Sequence, residues 1–412
     1  MSFEHVNLSK SDQIAAKETF RASIPPLSSA SQIRLYYVAS YASIGIFLPF
    51  ISPWLVAQGI SGIRLSAVSC TRPVAGIVAP LFFGWLADRF RLRGSLLRFA
   101  CVTSLIPFSL LTILYFLGID LGFAGAFFAV AAFSFFRVPM MTIADVTAME
   151  RPQNFGGLRL WGSLGFLFAA LPVGLLISDW RSVAFPLTIS LAIFAALFAS
   201  WRMPTKAAPV SSKSTGTFRE LLARRDFKLM FGIWILWAAS HVAYDLCFSL
   251  HLRDLGARPF DVSVAWSMGT LAEVAIMALC GVMLPKATHA TWTFIGLLGM
   301  ALRWLLIAKV QSLTVLLLMQ PLHALSFALL WMTWLDFVKQ NSPPHLLARA
   351  QGTLSTVVSI GSAGGILIWG PLYASQGASV VFNTAAVLAG GAGVLSLVPV
   401  LNTLVVRSGA NA

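Results

Sequence analysis

Long apolar runs, separated by short gaps that carry most of the charge, repeat twelve times along this 412-residue sequence. A helix needs about 20 residues to cross the roughly 30 Å hydrocarbon layer of a bilayer. Runs of that length fall at about 32–57, 62–87, 95–117, 120–147, 156–177, 180–201, 227–251, 259–284, 289–309, 312–338, 346–372 and 377–402, with edges good to about four residues. They are continuous, whereas the strands of a membrane barrel are short and alternating. Only 11% of the residues are charged and 58% are hydrophobic, and a soluble domain is about a quarter charged. The expected fold class is therefore an all-α membrane protein with twelve transmembrane helices.

The formal charge of +14 does not point to nucleic acid, because the basic residues sit in the gaps between apolar runs rather than on one polar surface. They fit membrane topology instead. Residues 1–31 lack the apolar core of a secretory signal, so the tail is expected to remain uncleaved in the cytoplasm, and an even number of crossings returns the C-terminus to the same side. In that orientation Arg89, Arg91 and Arg93, the 202–226 segment and most other basic residues lie inside. Only Arg64, Arg181, Arg253, Arg258 and Lys309 fall outside, as the positive-inside rule requires. The segment RMPTKAAPVSSKSTGTFRELLARRD, 202–226, is the longest polar interruption between spans. It divides the chain into a tail (1–31), a six-helix bundle (32–201), a linker (202–226), a second six-helix bundle (227–402) and a tail (403–412). This six-plus-six layout is that of secondary transporters built from two repeats.

Ionisable side chains deep in the bilayer are costly unless they face the protein interior or a wet cavity. Arg72, Arg137, His241, Asp245, Glu273, Arg303 and His323 fall there, with Asp145 and Arg159 nearer the ends of their spans. A lone arginine such as Arg159 can instead snorkel to a headgroup, and His323 can instead satisfy a buried carbonyl. Glu273, in LAEVAIM, needs a partner or a proton. His241 and Asp245 are four residues apart and share a helix face, so they are a candidate proton pair. Arg72, Arg137, Arg159 and Arg303 outnumber Asp245 and Glu273, leaving the core basic unless a ligand brings negative charge. Tyr37, Tyr41 and Trp161 are the aromatic residues best placed to line a ligand site beside Arg159, Arg72 and Arg137. No HExxH, CxxC or Walker A spacing appears, so no catalytic residue, metal or cofactor is expected, and transport must draw on an existing gradient. No repeated pore loop suggests a channel.

The stretch GWLADRFRLR, Gly84 to Arg93, resembles the signature between the second and third spans of the major facilitator superfamily. That resemblance implies the major facilitator fold and a cytoplasmic gate formed by Gly84, Asp88, Arg89 and Arg93, with Asp88 pairing near Arg349 to Gly352. Arg91 replaces the glycine usual in that turn. The corresponding stretch GVMLPKATHA lacks the aspartate. Further segments in order, RLWGSLGF from Arg159, SHVAYDLCFSLHLRDLG from Ser240, LAEV, ALRW and PLHALSF, resemble the phenylpropionate permease-like branch, related to the lactose permease group. In the lactose permease group the arginine matching Arg159 binds substrate, and residues matching Glu273, Arg303 and His323 serve binding and proton coupling. Two acids of that group are replaced here by Ser326 and Met141.

Arginines retained where acids are lost point to an anionic substrate. The expectation is a bacterial inner-membrane symporter, acting as a monomer by alternating access, that imports a small aromatic carboxylate with a proton. Its partners are substrate, proton and membrane lipids, with no nucleic acid. Glu273 is expected to carry the proton and to pair alternately with Arg303, with His323 or the His241 and Asp245 pair as relay. The alternatives are symport of a neutral sugar or nucleoside, export of toxic compounds, or a transporter-derived sensor.

Overall fold

Backbone amides have no water to bond within hydrocarbon, and a helix satisfies them internally. The computed structural model describes residues 28–90, 93–120, 122–150, 155–204, 225–342 and 347–398, and every regular element among them is helical. The two tails and most of the 202–226 linker lie outside the described residues, as do the side chains of Gly84, Asp88 and Arg349 on which the expected gate latch depends.

Six crossings form the N-terminal half: α1 (Ser29–Ala57), α2 (Gly62–Phe90), α3 (Arg93–Phe116), α4 (Gly122–Met149), α5 (Phe155–Leu176) and α6 (Ala184–Ser200). The C-terminal half starts with α7 (Arg225–Ala243), which runs on through a π-helical turn, Tyr244–Phe248, and a short helix, Ser249–Asp254. Next come α8 (Pro259–Met283) and α9 (His289–Lys309). The tenth crossing, α10, is assembled from Leu313–Leu318, a 3-10 turn at Gln320–Leu322, a π-helical stretch at Ala324–Leu329 and Leu330–Asn341. The helix Leu347–Ser396 is two crossings, α11 and α12, broken at Gly377, where φ is 75° and ψ is −175°. That backbone geometry strongly favours glycine.

The boundaries depart from expectation at three places. α6 starts at Ala184 rather than near 180, because Asp179 Oδ1 accepts from the Arg181 amide (2.7 Å) and Ser182 Oγ from the Ala184 amide (3.2 Å), forming a polar turn. The tenth span is interrupted, since Pro321 has no amide hydrogen to continue the ladder. Between the eleventh and twelfth spans, helical hydrogen bonding persists to the break at Gly377.

The halves repeat the same internal contact: α1 packs on α5 in one, and α7 on α11 in the other. Both seams depend on missing side chains. A Cβ at Gly165 would overlap the Val38 carbonyl, and a Cβ at Gly361 or Gly365 would come within 2.5 Å of Ile235 O or Ala239 O. Small residues at such crossings let backbones approach where no hydrophobic force separates helix from lipid.

Consecutive crossings alternate direction, which gives the bundle a linker end, carrying the 202–226 segment, and a far end. At the far end a single apolar core joins Phe47, Phe50, Trp54, Phe133 and Phe166 of the first half to Tyr244, Trp266 and Ile366 of the second. Towards the linker end the first half has a separate core around Tyr36, Leu97, Met140 and Ala199. Hydrogen bonds cross between the halves from Ser66 Oγ to Ile366 O (2.6 Å), Cys70 Sγ to Ala363 O (3.3 Å) and Ser263 Oγ to Ala170 O (2.8 Å). The structure is therefore sealed at its far end.

If the α1 to α5 seam holds the first half together, Gly165→Ala lowers stability by about 1–3 kcal/mol, the usual cost of overpacking. Gly281→Ala, with nothing within 4 Å of the added Cβ, leaves it unchanged. Thermal unfolding of the two detergent-purified variants checks this.

Candidate functional site

Arg303 on α9 is completely buried and makes three side-chain hydrogen bonds. Its Nη2 donates to Gln320 Oε1 at 2.7 Å, and its Nη1 to Ser326 Oγ at 3.2 Å and to His323 Nδ1 at 2.8 Å. Its guanidinium carbon also lies 4.2 Å from the ring centroid of Tyr244 and 4.9 Å from that of Trp304, a favourable place for a cation. Gln320 and His323 are brought to one side by the three-residue period of the 3-10 turn at Gln320–Leu322, and Ser326 joins them from the π-helical stretch Ala324–Leu329.

These contacts fix the state of His323. A guanidinium can only donate, so His323 Nδ1 accepts and the ring proton is on Nε2. That N–H donates to Glu273 Oε1, 2.7 Å away. His323 is thus neutral and stands between Glu273 and Arg303, so the expected direct pairing of those two is not present in this state. Glu273 keeps 16% of its side chain exposed, and Arg159 of the other half is within Coulombic reach of it.

His241 and Asp245 do share a face of α7 and its π-turn, but their closest atoms, Nε2 and Oδ1, are 3.9 Å apart, too far for a hydrogen bond. Asp245 Oδ2 instead accepts from Arg72 Nη2 of the N-terminal half at 2.7 Å. His241 stacks between aromatic neighbours, 5.1 Å from Trp237 and 5.6 Å from His323, and its buried Nδ1 has no partner. Arg72, read from the sequence as a substrate ligand, is therefore engaged in an ion pair between the halves.

The facing wall belongs to α1, α4 and α5. Tyr37 OH donates to Asp145 Oδ1 at 2.7 Å. The Arg159 guanidinium lies 4.1 Å over the Tyr41 ring and 6.0 Å from that of Tyr37. Gly162, the next turn of α5, makes room for this stack: a Cβ there would fall 2.9 Å from both Arg159 Nη1 and Tyr41 Cδ2. Arg137 on α4 is within Coulombic reach of Arg159, Arg72 and Tyr41, and its Nε is buried with no hydrogen-bond partner. Neither Arg137 nor Arg159 has a carboxylate partner among the described residues. Trp161, two residues from Arg159 and so on another side of α5, packs beside the linker-end core of the first half under Arg34, 5.7 Å from its ring. At the gate stretch, Arg89 is exposed in the last turn of α2, and Arg93 Nη1 bonds Glu150 Oε1 at 2.6 Å, tying the start of α3 to the end of α4.

The interior therefore sets four arginines against Asp145, Asp245 and Glu273, leaving one positive charge when the histidines are neutral. Gln320 was not anticipated from the sequence, although an amide inside LLLMQPLH was a signal. Asp145 was noted there without a role.

The chain has relatives in sequence and in fold. Residues 31–384 fit the sequence model of the MFS_1 like family. The chain belongs to that family. It is 26% identical over 353 residues to the probable 3-phenylpropionic acid transporter of Escherichia coli (strain K12), covering 82% of this chain and 89% of that one. Against the maltose permease of Geobacillus stearothermophilus it is 25% identical over 334 residues, or 78% and 82% of the two chains. Among solved structures, a mutant of the nucleoside transporter NupG superposes with TM-score 0.75 at 17% identity, over 90% of this chain and 98% of that one. The human organic anion transporter MFSD10 does so with TM-score 0.61 at 15% identity, over 91% and 100%. At such identities the two structures show the fold alone. This member of the MFS_1 like family is a multi-pass membrane transporter and not an enzyme.

Because Gln320 Oε1 serves both Arg303 Nη2 and Tyr244 OH, Gln320→Leu strands two buried donors at about 1–3 kcal/mol each. The expected result is a clear fall in the thermal midpoint of the purified protein together with loss of transport. An unchanged midpoint would show that the Arg303 network contributes little.

Proposed function

We propose that this MFS_1 like family member is a proton-coupled symporter that imports a small organic anion, an aromatic carboxylate of the phenylpropionate type. The observation that carries this reading is the pair Arg137 and Arg159, placed in the interior without a carboxylate partner among the described residues. Asp145 and Glu273 lie within Coulombic reach of Arg159, but neither is in direct contact with it; a cation in the interior without a direct ion pair is costly, and a carboxylate ligand would supply one. Arg159 can grip it through two parallel hydrogen bonds, while Tyr41, half-buried beneath the guanidinium, offers aromatic surface to the rest of the molecule; Tyr37, read from the sequence as a ligand residue, is fully buried and bonded to Asp145 behind it. A neutral sugar or nucleoside would leave the charge where it is. The similarity to the probable 3-phenylpropionic acid transporter of E. coli supports this reading.

Coupling follows from charge. In the empty protein Glu273 and Arg159 attract across the interior. Binding only the anion masks Arg159 and leaves Glu273 opposite a like charge, whereas binding only the proton leaves Arg159 uncompensated. Both together restore the balance of the empty state, so the empty and the fully loaded carrier are the forms that can change conformation. Glu273 is the proton carrier, with Oε1 held by the Nε2 hydrogen of His323 and Oε2 left to take the proton. With the linker end and both termini in the cytoplasm of a cell whose inner membrane the chain spans as a monomer, the far-end seal closes the outer side and supports an inward-facing place in an alternating-access cycle.

Two outcomes test the reading. Arg159→Lys replaces a two-point grip by a point charge, so affinity for an aromatic carboxylate falls by about tenfold, equivalent to about 1.4 kcal/mol. Equal binding by the lysine variant would return Arg159 to a structural role. Glu273→Gln abolishes accumulation against a gradient but keeps exchange of labelled for unlabelled substrate, since exchange moves no net proton. Accumulation by that variant would mean the proton rides elsewhere.

A further inference from the structure

We propose that Asp245 is shared between two partners, Arg72 and His241, and that with His241 it forms a second proton site available only while the far end is open. This rests on the proton-coupled reading above but assigns a different site and a different task. In the sealed state Asp245 Oδ2 is taken by Arg72 of the opposite half at 2.7 Å, and Oδ1 stops 3.9 Å short of His241 Nε2. His241 is buried, its Nδ1 has no partner, and its Nε2 lies beyond bonding distance of the acid. A buried imidazole with its Nδ1 orphaned and its Nε2 stopping just short of an acid is an expensive arrangement, and it becomes intelligible if another state closes the gap between Nε2 and Asp245.

That state follows from the geometry of the seam. Arg72 is on α2 and Asp245 is in the π-turn that follows α7, so parting the halves at the far end separates them. Asp245 then faces His241, one turn away on the same element, without a competing guanidinium. The two can hold a proton between carboxylate and imidazole. The π-helical turn Tyr244–Phe248 begins one residue before Asp245, and such turns are common where a helix must reposition functional groups. The charged and titratable groups within reach of the pair are Arg72 from α2, His323 from α10, Arg303 from α9 and Glu273 from α8. His323 is already held between Glu273 and Arg303, so it is not free to bond His241 in its present tautomer.

The consequence is an interlock. A proton arriving from the far side stabilises the open seam by occupying the His241 and Asp245 pair. Arg72 can recapture Asp245 only when that proton has moved on, so closure is tied to proton transfer inward. The direction with pH is fixed: the open seam binds the extra proton, so acid favours opening and alkali favours the Arg72 and Asp245 latch.

Ser66 offers a reporter, being fully buried at the far-end seam with its Oγ on Ile366 O. The test is the rate at which a membrane-impermeant maleimide, applied to the far side, labels Ser66→Cys on a background with the four native cysteines replaced by alanine. Rates at each pH are divided by that of the same protein unfolded in detergent. The parent should label about tenfold faster in acid than in alkali. His241→Gln should label slowly at every pH, because the latch remains and its proton-driven release is gone. Asp245→Asn should label fast at every pH, and Arg72→Gln should behave the same if the asparagine variant folds poorly. Glu273→Gln should keep the pH response, which separates this proposal from the assignment of the transported proton to Glu273. A pH-independent parent, a His241→Gln variant that still opens in acid, or slow labelling of both latch variants would overturn it.

Discussion

A guanidinium buried inside a membrane protein must be given partners, and the placement of Arg303 organises the C-terminal half around that need. Arg303 is completely enclosed, yet among the described residues no carboxylate forms an ion pair with it. Gln320, Ser326 and His323 from α10 supply the acceptors, and Tyr244 and Trp304 supply ring faces. Because His323 must accept at Nδ1, its only hydrogen points at Glu273. One enclosed cation thereby sets a tautomer, and the tautomer makes His323 a donor to the part-buried acid. The irregular path of α10, with its 3-10 turn and π-helical stretch, is the backbone form of the same requirement.

The N-terminal half carries the complementary surplus. Its Arg159 rests on the Tyr41 ring and its Arg137 keeps a buried Nε without a hydrogen-bond partner, so the transporter's centre is poised for negative charge on one wall and a proton on the other. The halves resemble each other in framework, each closed by the first of its helices against the fifth through glycines that admit backbone contact. They differ in charge. A shared scaffold with unlike walls is what a carrier needs if substrate and proton are to be bound by opposite halves and to influence how those halves meet.

Much of this was legible in the sequence. The number of crossings followed from run length, and the residues at the centre followed from the rarity of charge in hydrocarbon: Arg303, His323, Glu273, His241, Asp245, Arg72, Arg137 and Arg159 are all placed in the interior. Their pairing was not legible. Arg72 looked like a ligand residue because nothing in a linear pattern tells that α2 meets the end of α7. Trp161 is an aromatic residue among interior charges and so a ligand-site candidate in the sequence, but on a helix its two-residue separation turns it to a different side from Arg159. Gln320 was passed over because an uncharged amide in an apolar run carries less signal than a charge. Pro321 is a visible breaker within α10, whereas the π-helical stretch after it and the joining of α11 to α12 depend on tertiary packing that local propensity does not encode.

The central claim is that the interior requires negative charge on its ligand. Calorimetric titration of the purified transporter with 3-phenylpropanoate and with its neutral primary amide, identical in ring and chain, tests this most directly. The account predicts that the carboxylate binds at least about tenfold more tightly, a difference of about 1.4 kcal/mol or more. Equal or tighter binding of the amide would contradict it.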